Sequence, residues 1–174
     1  MLAEESPERR SASGLRWVVD ALDGSVNHLY GIPLCAVSIA VEEHRGHEWT
    51  AIVGVVHDPI RSETFSAARV GGAALGGTPL RVNEPVPLSR ALIATEFAYT
   101  AESRRRQAEA VSRVLAEARD IRCAGSSALD VCWTAAGRFD AFYEDELERW
   151  DWAAGQLVVQ EAGGCGCPKL GRWG

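Results

Sequence analysis

Asp20 and Asp23 end the apolar run Trp17-Val18-Val19 in two carboxylates that flank the backbone carbonyl of Leu22, and Gly24 and Ser25 follow at once. Carboxylate and carbonyl oxygens are hard donors of the kind divalent cations prefer, and a Gly-Ser turn offers N–H groups and a hydroxyl to an anion. Metal-assisted chemistry on a phosphate suits that order of groups. Two further acidic positions are available, Glu4-Glu5 near the amino terminus and Asp151 after Trp150. Taken singly, each has a plainer explanation: a solvated acidic pair for the first and a helix N-cap for the second. Asp20 resists one, because two carboxylates closing an apolar strand repel each other unless cations neutralise them.

Strands and helices must position these side chains. Runs rich in β-branched and aromatic residues predict strands at 16–20, 34–41, 50–57 and 63–67, a hairpin-rich first half, with turns at Gly71-Gly72 and Gly76-Gly77-Thr78-Pro79 and a short strand at 92–95. Ala108, Val111, Val114 and Leu115 fall on one face of a helix over 101–119. A buried helix starts at a Ser126 cap and stops at Gly137, a strand follows at 139–143, and a central helix packed on several sides spans 151–161. Strands followed by buried helices predict a layered α/β (α+β) sandwich.

Composition narrows the function. The chain has 174 residues, 47% of them hydrophobic, enough for one sizeable core, and its net charge of −6 argues against a general nucleic-acid surface. The basic run Arg104-Arg105-Arg106 reads as the solvated face of its helix. No stretch is long and apolar enough to span a bilayer, and the amino terminus lacks signal-peptide shape, so the expectation is cytoplasmic. The five cysteines, Cys35, Cys123, Cys132, Cys165 and Cys167, include no C-x-x-C pair and read as reduced, mostly buried thiols. His28 and His57 read as loop or strand-end residues rather than catalysts.

Trp17-Val18-Val19-Asp20-Ala21-Leu22-Asp23-Gly24-Ser25-Val26-Asn27 resembles the W-[IV]-[IV]-D-P-[IL]-D-G-T-x-N signature of the inositol monophosphatase family. Trp150-Asp151-Trp152-Ala153-Ala154-Gly155, running on to Glu161-Ala162-Gly163-Gly164, resembles its second signature, W-D-x-A-A-G…E-A-G-G. The resemblance spans nearly all of residues 4–164, is nearest to bacterial inositol-1-monophosphatases of the SuhB type, and implies the layered sugar-phosphatase fold. It implies Mg²⁺ held by Glu4, Asp20, the Leu22 carbonyl, Asp23 and Asp151, with Glu4 and Ser25 helping to activate water. Asp23, the Gly24 and Ser25 amides, Arg122, Ser127, Glu144 and Asp151 would contact a small phosphate monoester such as inositol 1-phosphate. Lithium sensitivity and a homodimer are further implications.

Departures from the pattern carry expectations of their own. Ala3 replaces a glycine; Ala21 replaces the proline between the aspartates and loosens that backbone; Ser25 replaces threonine but keeps the hydroxyl. Family members carry paired helices before the first glutamates and more strands and helices after E-A-G-G. Residues 1–164 therefore read as one incomplete domain with an uncovered apolar face, and 165–174, which hold Lys169, the chain's one lysine, as an atypical, frame-shifted or degraded tail. The alternatives to a polyol phosphatase are a related phosphatase for histidinol phosphate or nucleotide phosphates, and a catalytically impaired remnant that binds without turning over.

Overall fold

The computed structural model describes residues 1–5 and 13–166; Cys167, Lys169 and most of the expected atypical tail lie outside the described residues. In chain order the elements are β1 (Leu2–Ala3), β2 (Leu15–Asp23), α1 (Ser25–Leu29), β3 (Ala36–Arg45), β4 (Glu48–Asp58), β5 (Glu63–Ala68), β6 (Gly72–Leu75), β7 (Thr78–Pro79), β8 (Leu92–Ala94), α2 (Ala101–Glu117), β9 (Asp120–Arg122), α3 (Ser127–Ala135), β10 (Ala141–Phe142) and α4 (Arg149–Glu161). β1 to β7 form a seven-stranded sheet in sequence order, antiparallel except for the β1–β2 pair, while β10, β8 and β9 form a separate parallel sheet. The layered mixture of sheet and helices is the one expected.

Alternation along the central strands decides which face is covered. Val18 and Asp20 on β2, Ala36, Ser38, Ala40 and Glu42 on β3, and Gly54, Val56 and Asp58 on β4 all point inward, and α4 lies across them. Small residues let the helix come close. A Cβ at Gly54 would stand 2.8 Å from the Ala154 carbonyl oxygen, and one at Gly155 would stand 2.8 Å from the Val131 side chain of α3. α4 is thus clasped between sheet and α3, with Leu129, Val158 and Phe65 fully buried in the shared core. Each such side chain contributes on the order of 2–3 kcal/mol. The outward face carries half-buried Val19, Val37, Ile39 and Val41, with Trp17 exposed.

Element ends differ from the sequence reading in instructive ways. The expected strand over 139–143 is registered at Ala141–Phe142, with the Asp140 N–H on the Leu92 carbonyl and the Tyr143 N–H on the Ala94 carbonyl at its two ends, and the Asp140 carboxylate accepts the Leu92 N–H. α4 begins two residues early, at Arg149, and Asp151 is not its N-cap. Glu148 is the cap, and the Asp151 carboxylate accepts the Glu148 N–H at 2.7 Å in a reciprocal capping box. Ser126 does cap α3, its hydroxyl facing the Leu129 N–H. Only Cys132 among the described cysteines is buried; Cys123 and Cys165 are exposed because both stand in loops. Arg104 and Arg106 are exposed but engaged, the first bonding the Tyr99 carbonyl and the second pairing with Glu146.

Candidate active site

The two aspartates of the first motif stand at a fault in the sheet. Asp20 pairs with Ser38 and Asp23 with Ala36, so two residues of β2, Ala21 and Leu22, oppose the single Val37 of β3. Such a bulge takes residues out of the ladder and re-aims the side chains beside it. The Leu22 N–H donates to Asp20 Oδ1 at 2.9 Å, so a hydrogen bond fixes the backbone at the place where proline would have fixed φ. Parallel pairing of Leu2 with Val18 and Ala3 with Val19 carries Glu4 to the level of Asp20, and the Glu4 N–H reaches the Val19 carbonyl.

Beyond Asp23 the chain turns through Gly24, at φ 88°, into α1. Only glycine serves here. A Cβ would lie 2.9 Å from the Gly125 carbonyl oxygen and 3.0 Å from that of Leu34. Asn27 of α1 is buried and donates to the Ala124 and Gly125 carbonyls at 2.8 and 3.2 Å, locking α1 to the loop that enters α3. Asp23 Oδ2 accepts both the Ser126 hydroxyl and the Ala128 N–H, the latter at 2.9 Å, so the aspartate helps cap α3. Ser127 donates to Glu144 Oε2 at 2.7 Å. Ser25 stands exposed at the start of α1.

Asp151 enters from the opposite side on the first turn of α4, near β3, where the Ser38 hydroxyl holds the Trp150 carbonyl at 3.2 Å. Glu4, Asp20, Asp23 and Asp151 sense one another. Burial first, then neighbouring carboxylates, push Asp20, Asp23 and Asp151 up to about 6, and burial together with a shared hydrogen bond to Asp20 pushes Glu4 up to about 7. Glu144 rises to about 8, through burial and the charges of Glu96, Asp151 and Asp23. Among the described residues none of these carboxylates has an arginine or lysine partner.

One candidate is engaged by other partners, and two histidines lie outside the carboxylate group. Arg122 is exposed on β9, and its guanidinium pairs with Asp120 at 2.6 Å and with the Ile121 carbonyl. His57 lies within β4 and meets Thr64 Oγ1 at 2.9 Å, while His28 lies on α1. A cavity of about 1020 Å³ is lined by Glu144 together with Ile93, Phe142, Tyr143, Trp152 and Gln156; Asp20, Asp23 and Asp151 do not line it.

Glu96 and Asp130 escaped the sequence reading. Glu96 accepts the Gly125 N–H and the Cys123 thiol, the latter at 3.0 Å, and so ties down the loop that meets α1. Asp130 is fully buried, and burial and the neighbouring Glu96 carboxylate push it up to about 9. The available signal was a charged residue, Glu96, one position beyond the end of the expected short strand Leu92-Ile93-Ala94-Thr95, and another inside the apolar helix at Asp130.

Hard oxygen donors without cationic partners fit a divalent metal. The hydrogen bonds of Asp23 and Asp151 occupy one oxygen of each. In the conformation seen, no three acidic, histidine or cysteine side chains among the described residues close on one point at ligand distance. A bound cation would draw these carboxylates together.

Residues 1–170 match the model of the inositol monophosphatase family. The chain is 42% identical over 153 residues to an inositol-1-monophosphatase of Mycobacterium leprae, covering 86% of this chain and 51% of that protein. It is 42% identical over 156 residues to the protein named Nus factor SuhB of Haemophilus influenzae, covering 89% and 57%. The crystal structure of the extragenic suppressor protein suhB from Bartonella henselae superposes with a TM-score of 0.84 at 42% identity, over 93% of this chain and 61% of that one. The chain thus spans between half and three fifths of the length of these curated relatives.

Proposed function

Because the chain belongs to the inositol monophosphatase family, we propose that it is a Mg²⁺-dependent phosphomonoesterase acting on inositol 1-phosphate or a related polyol or sugar monophosphate. The observation that carries this reading is the group Glu4, Asp20, Asp23 and Asp151, delivered by separate elements and left without a cationic side chain among the described residues. Glu4, Asp20, the Leu22 carbonyl, Asp23 and Asp151 would hold the metal. Bound Mg²⁺ would screen the phosphate charge and bring the pKa of a water toward neutrality.

The chain's own groups do the rest. The Gly24 and Ser25 N–H groups orient the phosphate, the Ser25 hydroxyl and Glu4 carboxylate hold the attacking water, and Glu4 takes its proton; as the new P–O bond forms, the P–O bond to the alcohol portion breaks and the alcohol leaves protonated by solvent. Glu144, steadied by Ser127, accepts a hydroxyl of the alcohol portion, and Arg122 borders that side once released from Asp120. Water attacks directly, with no covalent phospho-enzyme, because positioning and charge stabilisation suffice for phosphoryl transfer.

The test is phosphate release from a panel of phosphomonoesters at equal concentration, with Mg²⁺ and with chelator. Release that favours polyol monophosphates and stops with chelator supports the reading; release indifferent to chelator overturns it. A second reading, a Nus-factor role as in the name of the H. influenzae relative, is favoured by the exposed Val26, Leu29, Tyr30 and Ile32 in and beside α1. An Asp20→Asn chain would keep that role and lose phosphate release.

A further inference from the structure

Glu42 is fully buried, yet it lies outside the proposed metal group. Its carboxylate is gripped by Arg16 Nε at 2.7 Å on one oxygen and by Arg149 Nε at 2.6 Å, together with Arg149 Nη2, on the other. Arg149 Nη2 also donates to the Trp49 carbonyl at 3.0 Å, and its guanidinium stacks 4.1 Å over Trp152. Arg16 stacks 4.4 Å over Trp49. A buried carboxylate shared by two stacked arginines is a rigid joint, because planar guanidinium forks fix direction as well as distance.

What the joint holds is the start of α4. Arg149 is the first residue of that helix, where a positive charge opposes the macrodipole, so helix stability gives no reason for an arginine there. Two residues on comes Asp151, and between them the Trp150 carbonyl is held by Ser38, which shares the inner face of β3 with Glu42. We infer that Glu42 is a positioning residue: through Arg149 it pins the first turn of α4 to β3 and fixes where the Asp151 carboxylate is presented. This inference rests on the reading of Asp151 as a metal ligand.

Charge and position agree on Glu42 and make opposite forecasts for Arg149. By charge alone, removing Arg149 brings tighter Mg²⁺ binding at Asp151 and removing Glu42 brings weaker binding. By positioning, both losses weaken it. The experiment is calorimetric titration of Mg²⁺ into the full chain and into Glu42→Gln, Arg149→Gln, Arg16→Gln and Asp151→Asn, with a melting temperature for each. The expected result is a dissociation constant raised about tenfold in both Glu42→Gln and Arg149→Gln, the loss usual for groups that orient a metal ligand. Arg16→Gln, which touches Glu42 but not α4, melts lower with Mg²⁺ binding unchanged. If Glu42→Gln does not fold, Arg149→Gln decides, since Glu42 then keeps Arg16. Unchanged or tighter binding in Arg149→Gln overturns the inference. Unchanged binding in Asp151→Asn overturns the ligand reading itself, and the two failures are thereby distinguished.

Discussion

Replacing Asp23 by Asn pits the fold against the site. Asp23 is buried, and burial raises its carboxyl from the ordinary 3.8 to about 6, even though the Ser126 hydroxyl and the Ala128 N–H favour the charged form. At pH 7.5 the folded chain must ionise a group that the unfolded chain ionises freely, which costs about 3 kcal/mol at 1.36 kcal/mol per pH unit. Asparagine keeps an oxygen for both hydrogen bonds and drops the charge. The metal-free Asp23→Asn chain should therefore be more stable at pH 7.5 by about 3 kcal/mol, which for a domain of this size is a rise of about 6–12 °C in melting temperature. Mg²⁺ should stabilise the wild-type chain and leave the variant unmoved. Differential scanning calorimetry with and without Mg²⁺ gives both numbers. A metal-free variant that melts below wild type, or one still raised by Mg²⁺, would refute the reasoning.

Asp20, Asp23 and Asp151 all have carboxyls raised to about 6, so between about pH 4 and 6 the folded chain binds more protons than the unfolded one. Metal-free stability should fall as pH climbs through that window and go on falling toward pH 8, because Glu4, Glu144 and Asp130 are raised to about 7, 8 and 9, with saturating Mg²⁺ reducing the loss; denaturant melts across pH 4–8 check this. Asp130→Asn should raise the melting temperature at pH 7, because Asp130 is fully buried and its carboxyl is raised to about 9, so folding at pH 7 must take up a proton that asparagine does not need. Gly24→Ala should lower stability by at least about 1–2 kcal/mol from its left-handed backbone alone, and contact with the Gly125 carbonyl adds to that. Chemical denaturation measures the loss, and phosphate release should fall with it.

Much of this was legible in sequence because it is local. The strand over 16–20, the Ser126 cap and the small residues of α4 are each written within a few positions, whereas the continuation of β2 to Asp23 is not. The bulge at Ala21-Leu22 was not, since a register shift exists only once β3 has paired. Nor was the Asp23–Ser126 contact, whose partners are far apart in sequence. Glu42 left a trace: Ala36, Ser38, Ala40 and Glu42 share one face of β3, so the alternation that buries three small residues also buries the glutamate. Its meaning depends on Arg149, which only the folded chain brings to it.

Phosphate release from inositol 1-phosphate, followed as Mg²⁺ is titrated into wild type, Asp20→Asn and Asp151→Asn, tests the central proposal most directly. The account predicts a Mg²⁺-dependent rate in wild type and loss of about a thousandfold or more in each variant, the scale on which removal of essential charge-stabilising groups is felt. A rate that survives either substitution, or that does not depend on Mg²⁺, would contradict it.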